Sequence, residues 1–461
     1  MSFAFGRSDG EVNAMEAGAV SQPFVTGRPP RTLGLGSATA LVIASMLGTG
    51  IFTTSGFLLA DLRSPWLVLL AWVLGGLVAM LGALSYGALA RHIPESGGEY
   101  LFLSRTLHPA AGYVAGCVSL LVGFSAPLAA AANAFGQYTS DWFPGSSPSV
   151  TGTVLLALVS SIHAWNVRGG ASAQNIAVVI KVVLITLFIG LGAARISGAP
   201  VTPTAPFSTP AFAMSLVWIS FSYAGWNAVI YLGGEVTHPE RNIPRSLLTG
   251  TLLVTVLYVA INAIFLLAVP GDVISGHLEV GRLAAEHLGG RSWAEGATFL
   301  IALALVTSVS SLVMTGPRVY ARIATDGYLP SWMEQRTGPP RSAIGFQLVV
   351  ALVMLWTATY QSLLSFIGFT LSLSTAATVC GLMVERVRRG PAMPVPGWPW
   401  VPFVFVAAVL GMTTLSVARA PLPSLAGVAV LGLGWLLWRL GKKARELRQP
   451  DAKRRPPMLG L

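Results

Sequence analysis

The sequence predicts an all-α, polytopic membrane protein with about twelve transmembrane helices. Three observations carry that reading. Of 461 residues, 53% are hydrophobic and only 10% charged, where a soluble domain carries about 25% charged residues. The mean hydropathy is +0.67. The apolar residues fall in runs of about 20, enough to cross a hydrocarbon layer of about 30 Å. An outer-membrane barrel would instead show alternating strands of about ten residues.

The runs lie roughly at 35–60, 66–91, 109–137, 149–165, 172–196, 211–235, 247–270, 294–324, 342–359, 361–384, 398–416 and 421–441. Turn-forming pairs such as Ser64-Pro65, Pro144-Gly145 and Pro339-Pro340 separate them. Residues 271–293 form a longer polar connection with some helical character, suited to an external lid. Residues 1–30 are polar, with Gly, Ser and Pro and no apolar h-region, so they read as a tail rather than a cleaved signal. Residues 442–461 are basic and are expected to lie disordered near lipid headgroups.

The net charge of +11 raises the question of a nucleic acid partner. The placement of the charges answers it. With the N-terminus inside, only Arg63, Arg195, Arg282, Arg291 and Arg419 fall outside, and Lys181 lies within the membrane. All other lysines and arginines then sit on one side. That bias puts both termini in the cytoplasm of a plasma (inner) membrane protein, with no nucleic acid partner. Cys117 and Cys380 lie in apolar runs, so neither a disulfide framework nor zinc spacing is present. The six histidines are scattered, and HExxH, P-loop and G-x-S-x-G motifs are absent. Gly34-Leu35-Gly36 precedes a membrane helix rather than following a strand, so it is no dinucleotide fingerprint. These features point away from an enzyme, a metal site and a cofactor.

Two spans look interrupted. The first contains Met46-Leu47-Gly48-Thr49-Gly50-Ile51-Phe52. Glycine costs about 1 kcal/mol against alanine in a helix. A break inside hydrocarbon leaves bare N–H and C=O groups, tolerable only around a cavity or a ligand. The half-helix beginning near Ile51 would present free N–H groups and a positive dipole end, a site for a carboxylate. The half-helix ending near Ser45-Met46 would present carbonyls that suit an ammonium. One break can therefore hold both ends of a zwitterionic amino acid; the alternative is a glycine-rich packing face. The sixth span reads Trp218-Ile219-Ser220-Phe221-Ser222-Tyr223-Ala224-Gly225-Trp226-Asn227, small and polar at its centre. Carbonyls freed near Phe221, Ser222 and Ala224 would complete the ammonium site. Phe221 is either an aromatic gate or ordinary core. Asn227 either binds substrate, orders the break or bonds another helix, and Gly225 supplies backbone freedom. Broken helices five spans apart are the sequence pointer to a transporter with inverted repeats.

Lys181 lies ten residues into the fifth span, too deep for easy snorkelling. An ionisable group there costs at least about 2.5–3.5 kcal/mol and normally faces a polar cavity. Three roles are open: a proton carrier, an ammonium standing in for a sodium ion that braces the first span, or a fixed hydrogen bond to its carbonyls. Glu95 and Glu99, and the charges from Glu235 to Arg245, are either inward-gate salt bridges or solvated loop charges. Arg318, Arg322 and Asp326 close the eighth span beside those loops.

Several of these segments resemble the amino acid–polyamine–organocation (APC) transporters over residues 35–390. They are the two interrupted segments, Ile93-Pro94-Glu95-Ser96-Gly97-Gly98-Glu99-Tyr100, Glu235-Val236-Thr237-His238-Pro239-Glu240-Arg241-Asn242-Ile243-Pro244, and Pro317-Arg318-Val319-Tyr320-Ala321-Arg322 with Asp326-Gly327-Tyr328-Leu329-Pro330. The sixth span is most similar to the L-amino acid transporter branch and its bacterial relatives. The resemblance implies a 5+5 inverted repeat with discontinuous helices 1 and 6, and alternating access. It divides the chain into a cytoplasmic tail (1–34), a ten-helix transport core (35–390), two accessory helices (391–441) and a basic tail (442–461). It implies a substrate site at Ile43, Ser45, Met46, Gly48, Thr49, Gly50, Ile51, Phe221, Ser222, Ala224, Gly225 and Asn227. It implies gating by Phe221, Glu95, Glu99 and Glu235, and Lys181 in place of sodium. The partners expected are an amino acid, the lipid bilayer and protons, in symport or exchange. With Asn227 where arginine/agmatine exchangers carry glutamate, and no carboxylate evident in the pocket, a neutral side chain is expected. The alternatives are a cationic amino acid or amine exchanger and, more remotely, a non-transporting sensor or accessory subunit.

Overall fold

The computed structural model describes residues 31–165, 170–194, 196, 207–335 and 338–448, and the tails expected at 1–30 and 449–461 lie outside them. Helices α1 (Leu35–Met46) and α2 (Gly50–Leu62) together make the first span, and α3 (Pro65–His92) the second. A short helix, α4 (Gly98–Thr106), precedes the third span, which is α5 (Pro109–Val118), a π-helical stretch Ser119–Ser125 and α6 (Ala126–Tyr138). The fourth and fifth are α7 (Pro148–Trp165) and α8 (Gly170–Ala193). The sixth joins α9 (Thr209–Tyr223) to a 3-10 segment, Ala228–Glu235. Then come α10 (Pro239–Ala268), the connecting α11 (Gly271–Ile274) and α12 (Val280–Gly289), α13 (Arg291–Thr325), α14 (Arg341–Thr357), α15 (Tyr360–Arg389), α16 (Trp400–Ser416) and α17 (Pro421–Arg448).

Ten of these stretches are long and apolar enough to cross a membrane, and α14 and α16 are shorter apolar helices of 17 residues each. At 1.5 Å per residue, about 17 residues is the lower bound for spanning. Apolar side chains such as Ile162, Ile176, Val353, Phe403 and Leu425 stand exposed on the outward faces of α7, α8, α14, α16 and α17. That exposure suits lipid and not water. The chain is an all-α, integral, multi-pass membrane protein.

Local chemistry sets the helix starts. The side chain of Ser64 caps α3 at Leu67 N, and Pro65 occupies its first turn; Ser208 and Thr359 cap α9 and α15 in the same way. Helix α10 starts at Pro239, eight residues before the apolar run at 247, because Pro239 at the first position favours helix despite the charges that follow. The last helix likewise continues to Arg448, where the sequence reading expected a disordered tail from 442. The π-helical stretch ends against Pro127. Proline has no N–H for the Gly123 carbonyl and its ring crowds that carbonyl, so the preceding turn widens. The Leu120 carbonyl accepts from Ser125 Oγ at 2.7 Å and from Tyr320 OH at 3.0 Å.

Two contacts bear on the interrupted spans. The backbone before α1 is pinned beyond the sixth span: Thr32 N and Leu33 N both donate to the Glu235 carbonyl at 2.9 Å, and Thr237 N donates to the Leu33 carbonyl at 2.9 Å. The polar connection at 271–293 docks on α2, where Gly276 N donates to the Gly56 carbonyl at 2.8 Å.

Candidate functional site

The first break runs from Leu47 to Thr49, its centre one residue ahead of the expected Thr49. Leu47 has φ −70° and ψ 69°, and Gly48 N donates to the Met46 carbonyl at 2.7 Å. This is an inverse γ-turn. It engages the Gly48 N–H that the sequence reading assigned to a carboxylate. The N–H groups of Thr49, Gly50 and Ile51 have no backbone partner among the described residues. They form the free N-terminus of α2, where a dipole and unpaired donors favour an anion.

The second break differs more from expectation. Phe221 and Ser222 lie inside α9, which ends at Tyr223. Their carbonyls are engaged: Phe221 O accepts from Ala224 N at 2.9 Å, and Ser222 O lies 3.0 Å from Tyr258 OH. The chain leaves the helix at Ala224 (ψ 142°) and turns at Gly225, whose φ of +101° favours glycine.

The two breaks touch. A Cβ on Gly50 would stand 2.6 Å from Ser222 Cα, and a Cβ on Gly225 would stand 2.6 Å from the Ser45 carbonyl oxygen. Gly48, by contrast, has no neighbour nearer than 3.7 Å to such an atom. Tyr258, fully buried on α10, sits across the join. Its hydroxyl is hydrogen-bonded to the Met46 carbonyl and is also within reach of the Ser222 carbonyl. Thr54 Oγ1 meets Ser222 Oγ at 3.0 Å.

Lys181 is fully buried, and its Nζ donates to the carbonyls of Leu47 at 3.2 Å and Ala304 at 3.4 Å. Ser308 Oγ donates to the same Leu47 carbonyl at 3.0 Å. The fifth and eighth spans thus saturate the carbonyl that the break orphans.

The breaks open on a cavity of about 160 Å³ lined by Ser45, Met46, Gly48 to Gly50 and Phe221 to Asn227. That is room for roughly five waters. Of the expected substrate residues, Ile43 and Ile51 do not line it. Ile43 accepts the capping N–H of Leu47 instead, at 2.9 Å. Ser311 and Thr315 of α13 also line the cavity, with no hydrogen-bond partner among the described residues. Phe405, Val409 and Met412 bring α16 to the wall, although the sequence suggested only an accessory helix there.

The expected gate carboxylates do different things. Glu95 pairs with Arg105, ten residues away on α4. Glu235 supplies its backbone carbonyl to the 32–33 segment. Glu99 is 4% exposed and lines the cavity, so a carboxylate is present where none was evident from the sequence. It accepts from Tyr86 OH at 3.2 Å, from Asn227 Nδ2 at 2.5 Å and from Tyr231 OH. Asp326 does reach the neighbouring loop, accepting from Tyr100 OH at 2.9 Å, and it pairs with Arg322. Sequence reasoning missed Tyr258, Tyr231 and the burial of Glu99. Spacing within one helix carries no signal for a hydroxyl that meets a carbonyl of another span.

A broken-helix cavity of this kind defines a membrane transport protein. The sequence model of the family described as amino acid permease matches residues 33–438, and the chain belongs to that family. Among curated proteins it is similar to the human large neutral amino acids transporter small subunit 2, 28% identical over 79% of this chain and 71% of that one. It is also similar to the mouse Asc-type amino acid transporter 1, 28% identical over 89% and 81%. The mouse b(0,+)-type amino acid transporter 1 is 25% identical over 85% and 83%.

Gly50→Ala and Gly225→Ala are expected to destabilise the fold by about 1–3 kcal/mol through overpacking. Gly48→Ala is expected to cost less, since its space is open. Thermal unfolding of the purified variants in detergent checks the order. Tyr258→Phe is expected to cost about 1–3 kcal/mol by removing the hydroxyl that bonds the buried backbone where the two breaks meet, read in the same assay.

Proposed function

We propose that this chain is a secondary active transporter that moves amino acids across the membrane by alternating access, without sodium. The observation that carries this reading is the free N–H triplet of Thr49, Gly50 and Ile51, the first two of them cavity-lining residues, held against the sixth-span break. The substrate carboxylate sits on that triplet. Its ammonium faces the carbonyls of Ser45, Met46 and Ala224. Phe221 covers the bound molecule, and Glu99 with Asn227 closes the cytoplasmic side. Lys181 occupies the place of a sodium ion and holds the first break open. The core at 35–390 is a pair of inverted five-helix repeats, both termini are cytoplasmic, and no catalytic step is involved.

The relatives support the substrate class, and the name of one of them specifies large neutral amino acids. The apolar lining at Phe221, Phe405 and Met412 favours a neutral side chain here too. A second reading, a cationic substrate, is favoured by one observation, the Glu99 carboxylate at the cavity.

The test is uptake of radiolabelled amino acids by purified protein in liposomes, with and without sodium, a pH gradient and internal substrate. Sodium-independent uptake of neutral amino acids is expected; uptake restricted to lysine and arginine would select the second reading. Lys181→Ala is expected to fold and to lose about ten- to a hundredfold in transport. That is the range for removing a charge-assisted hydrogen bond worth about 1.5–3 kcal/mol. Full transport by this variant would sink the bracing role.

A further inference from the structure

Glu99 is the buried acid of the cavity, and its surroundings are unusual for a carboxylate. It sits in the first turn of α4, outside the spans, 4% exposed. Three neutral donors surround it. Tyr86 OH and Asn227 Nδ2 meet Oε1, and Tyr231 OH meets Oε2. No lysine, arginine or histidine among the described residues forms an ion pair with it.

The other ionisable groups around α4 are engaged elsewhere. On α4 itself, Arg105 pairs with Glu95, and Tyr100 donates to Asp326 of the eighth span, which also holds Arg322. On α15, Glu385 pairs with Arg389, and Arg388 reaches the Thr106 carbonyl. On α5, His108 caps its own helix, and Tyr113 stacks with Tyr328. The titratable groups that face Glu99 are therefore Tyr86 of α3 and Tyr231 of the 3-10 segment. An anion held this way is stable only through hydrogen bonds, and loss of its charge needs no partner to be abandoned.

We propose that Glu99 is a proton-binding site of the cavity, and that its protonation loosens the segment after Gly225 and so links uptake to protons. The proposal rests on the transport reading above. The proton comes from cavity water and binds at Oε2. Tyr231 then accepts the new O–H, and its own hydrogen turns toward the neighbouring Ser119 hydroxyl. Every donor keeps an acceptor, and only the negative charge is lost. Hydrogen bonds to a charged acceptor are roughly twice as strong as neutral ones. Asn227 and Tyr231, the residues that grip Glu99, belong to the segment that follows the sixth-span break. Protonation therefore relaxes the hold on that segment.

Burial raises the Glu99 carboxyl above the ordinary carboxylate range, and the bonds from Tyr231, Tyr86 and Asn227 offset this only in part. The folded protein then keeps a proton that the unfolded chain has released. Stability from this group is full below the ordinary carboxyl pKa and is lost as pH rises through the raised value.

The test uses the full chain in liposomes. Lowering external pH from about 7.5 to about 5.5, with internal pH fixed, is expected to raise uptake severalfold, and a protonophore to remove the gain. Glu99→Gln is expected to lose both responses. Tyr231→Phe, which removes a donor to the anion, is expected to move the midpoint of the pH profile upward. The pH dependence of the thermal unfolding midpoint provides a readout independent of transport, with the decline at rising pH flattened in Glu99→Gln. Wild-type uptake indifferent to pH, an unchanged pH profile in Glu99→Gln, or a defect in Glu99→Gln confined to lysine and arginine uptake would each overturn the proposal and leave the transport reading standing. Failure of the wild type to move any amino acid would overturn the transport reading instead.

Discussion

The structure depends on the close approach of two helix breaks. Gly50 lies against the backbone of Ser222 and Gly225 against the carbonyl of Ser45, and neither position has room for a Cβ. Each break therefore needs a glycine because of the other. The backbone of one broken span forms part of the wall around the other, so the cavity between them is lined by main-chain groups as much as by side chains.

Polar backbone at that depth must be satisfied from within. The structure does this with a few long reaches. Lys181 and Ser308 take the Leu47 carbonyl from two different spans. Tyr258 takes the Met46 carbonyl from a third. What remains unpaired is the start of α2, at Thr49 to Ile51. Of the residues that carry these leftover donors, Thr49 and Gly50 line the cavity, which is why the braces matter to function as well as to folding.

Much of this was legible in the sequence. Run length and composition gave the spans, because a bilayer imposes one length on every crossing helix. Gly48-Thr49-Gly50 announced the first break, because glycine and threonine are poor choices in mid-helix. Lys181 announced a polar neighbour, because an isolated ammonium there is costly. The sixth break was read three residues too early, since Phe221-Ser222-Tyr223 is as compatible with helix as with its interruption. For Glu99 the sequence leaves an inward-gate salt bridge and a solvated loop charge both open, because the motif around it is polar and glycine-rich. Its burial comes from Tyr86 and Tyr231, 13 and 132 residues away. A fold assembled from long-range contacts hides such partners from local pattern.

The short pairing between Leu33 and Val236 has a mechanical consequence. Three backbone hydrogen bonds tie the chain just before α1 to the chain just after the 3-10 segment. These are the α1 end of the first interrupted span and the 3-10 end of the sixth. They are yoked, so a force that tilts one half-helix pulls on the other through the main chain, whatever side chains lie between them. The pair behaves as one lever arm with its fulcrum at the glycines.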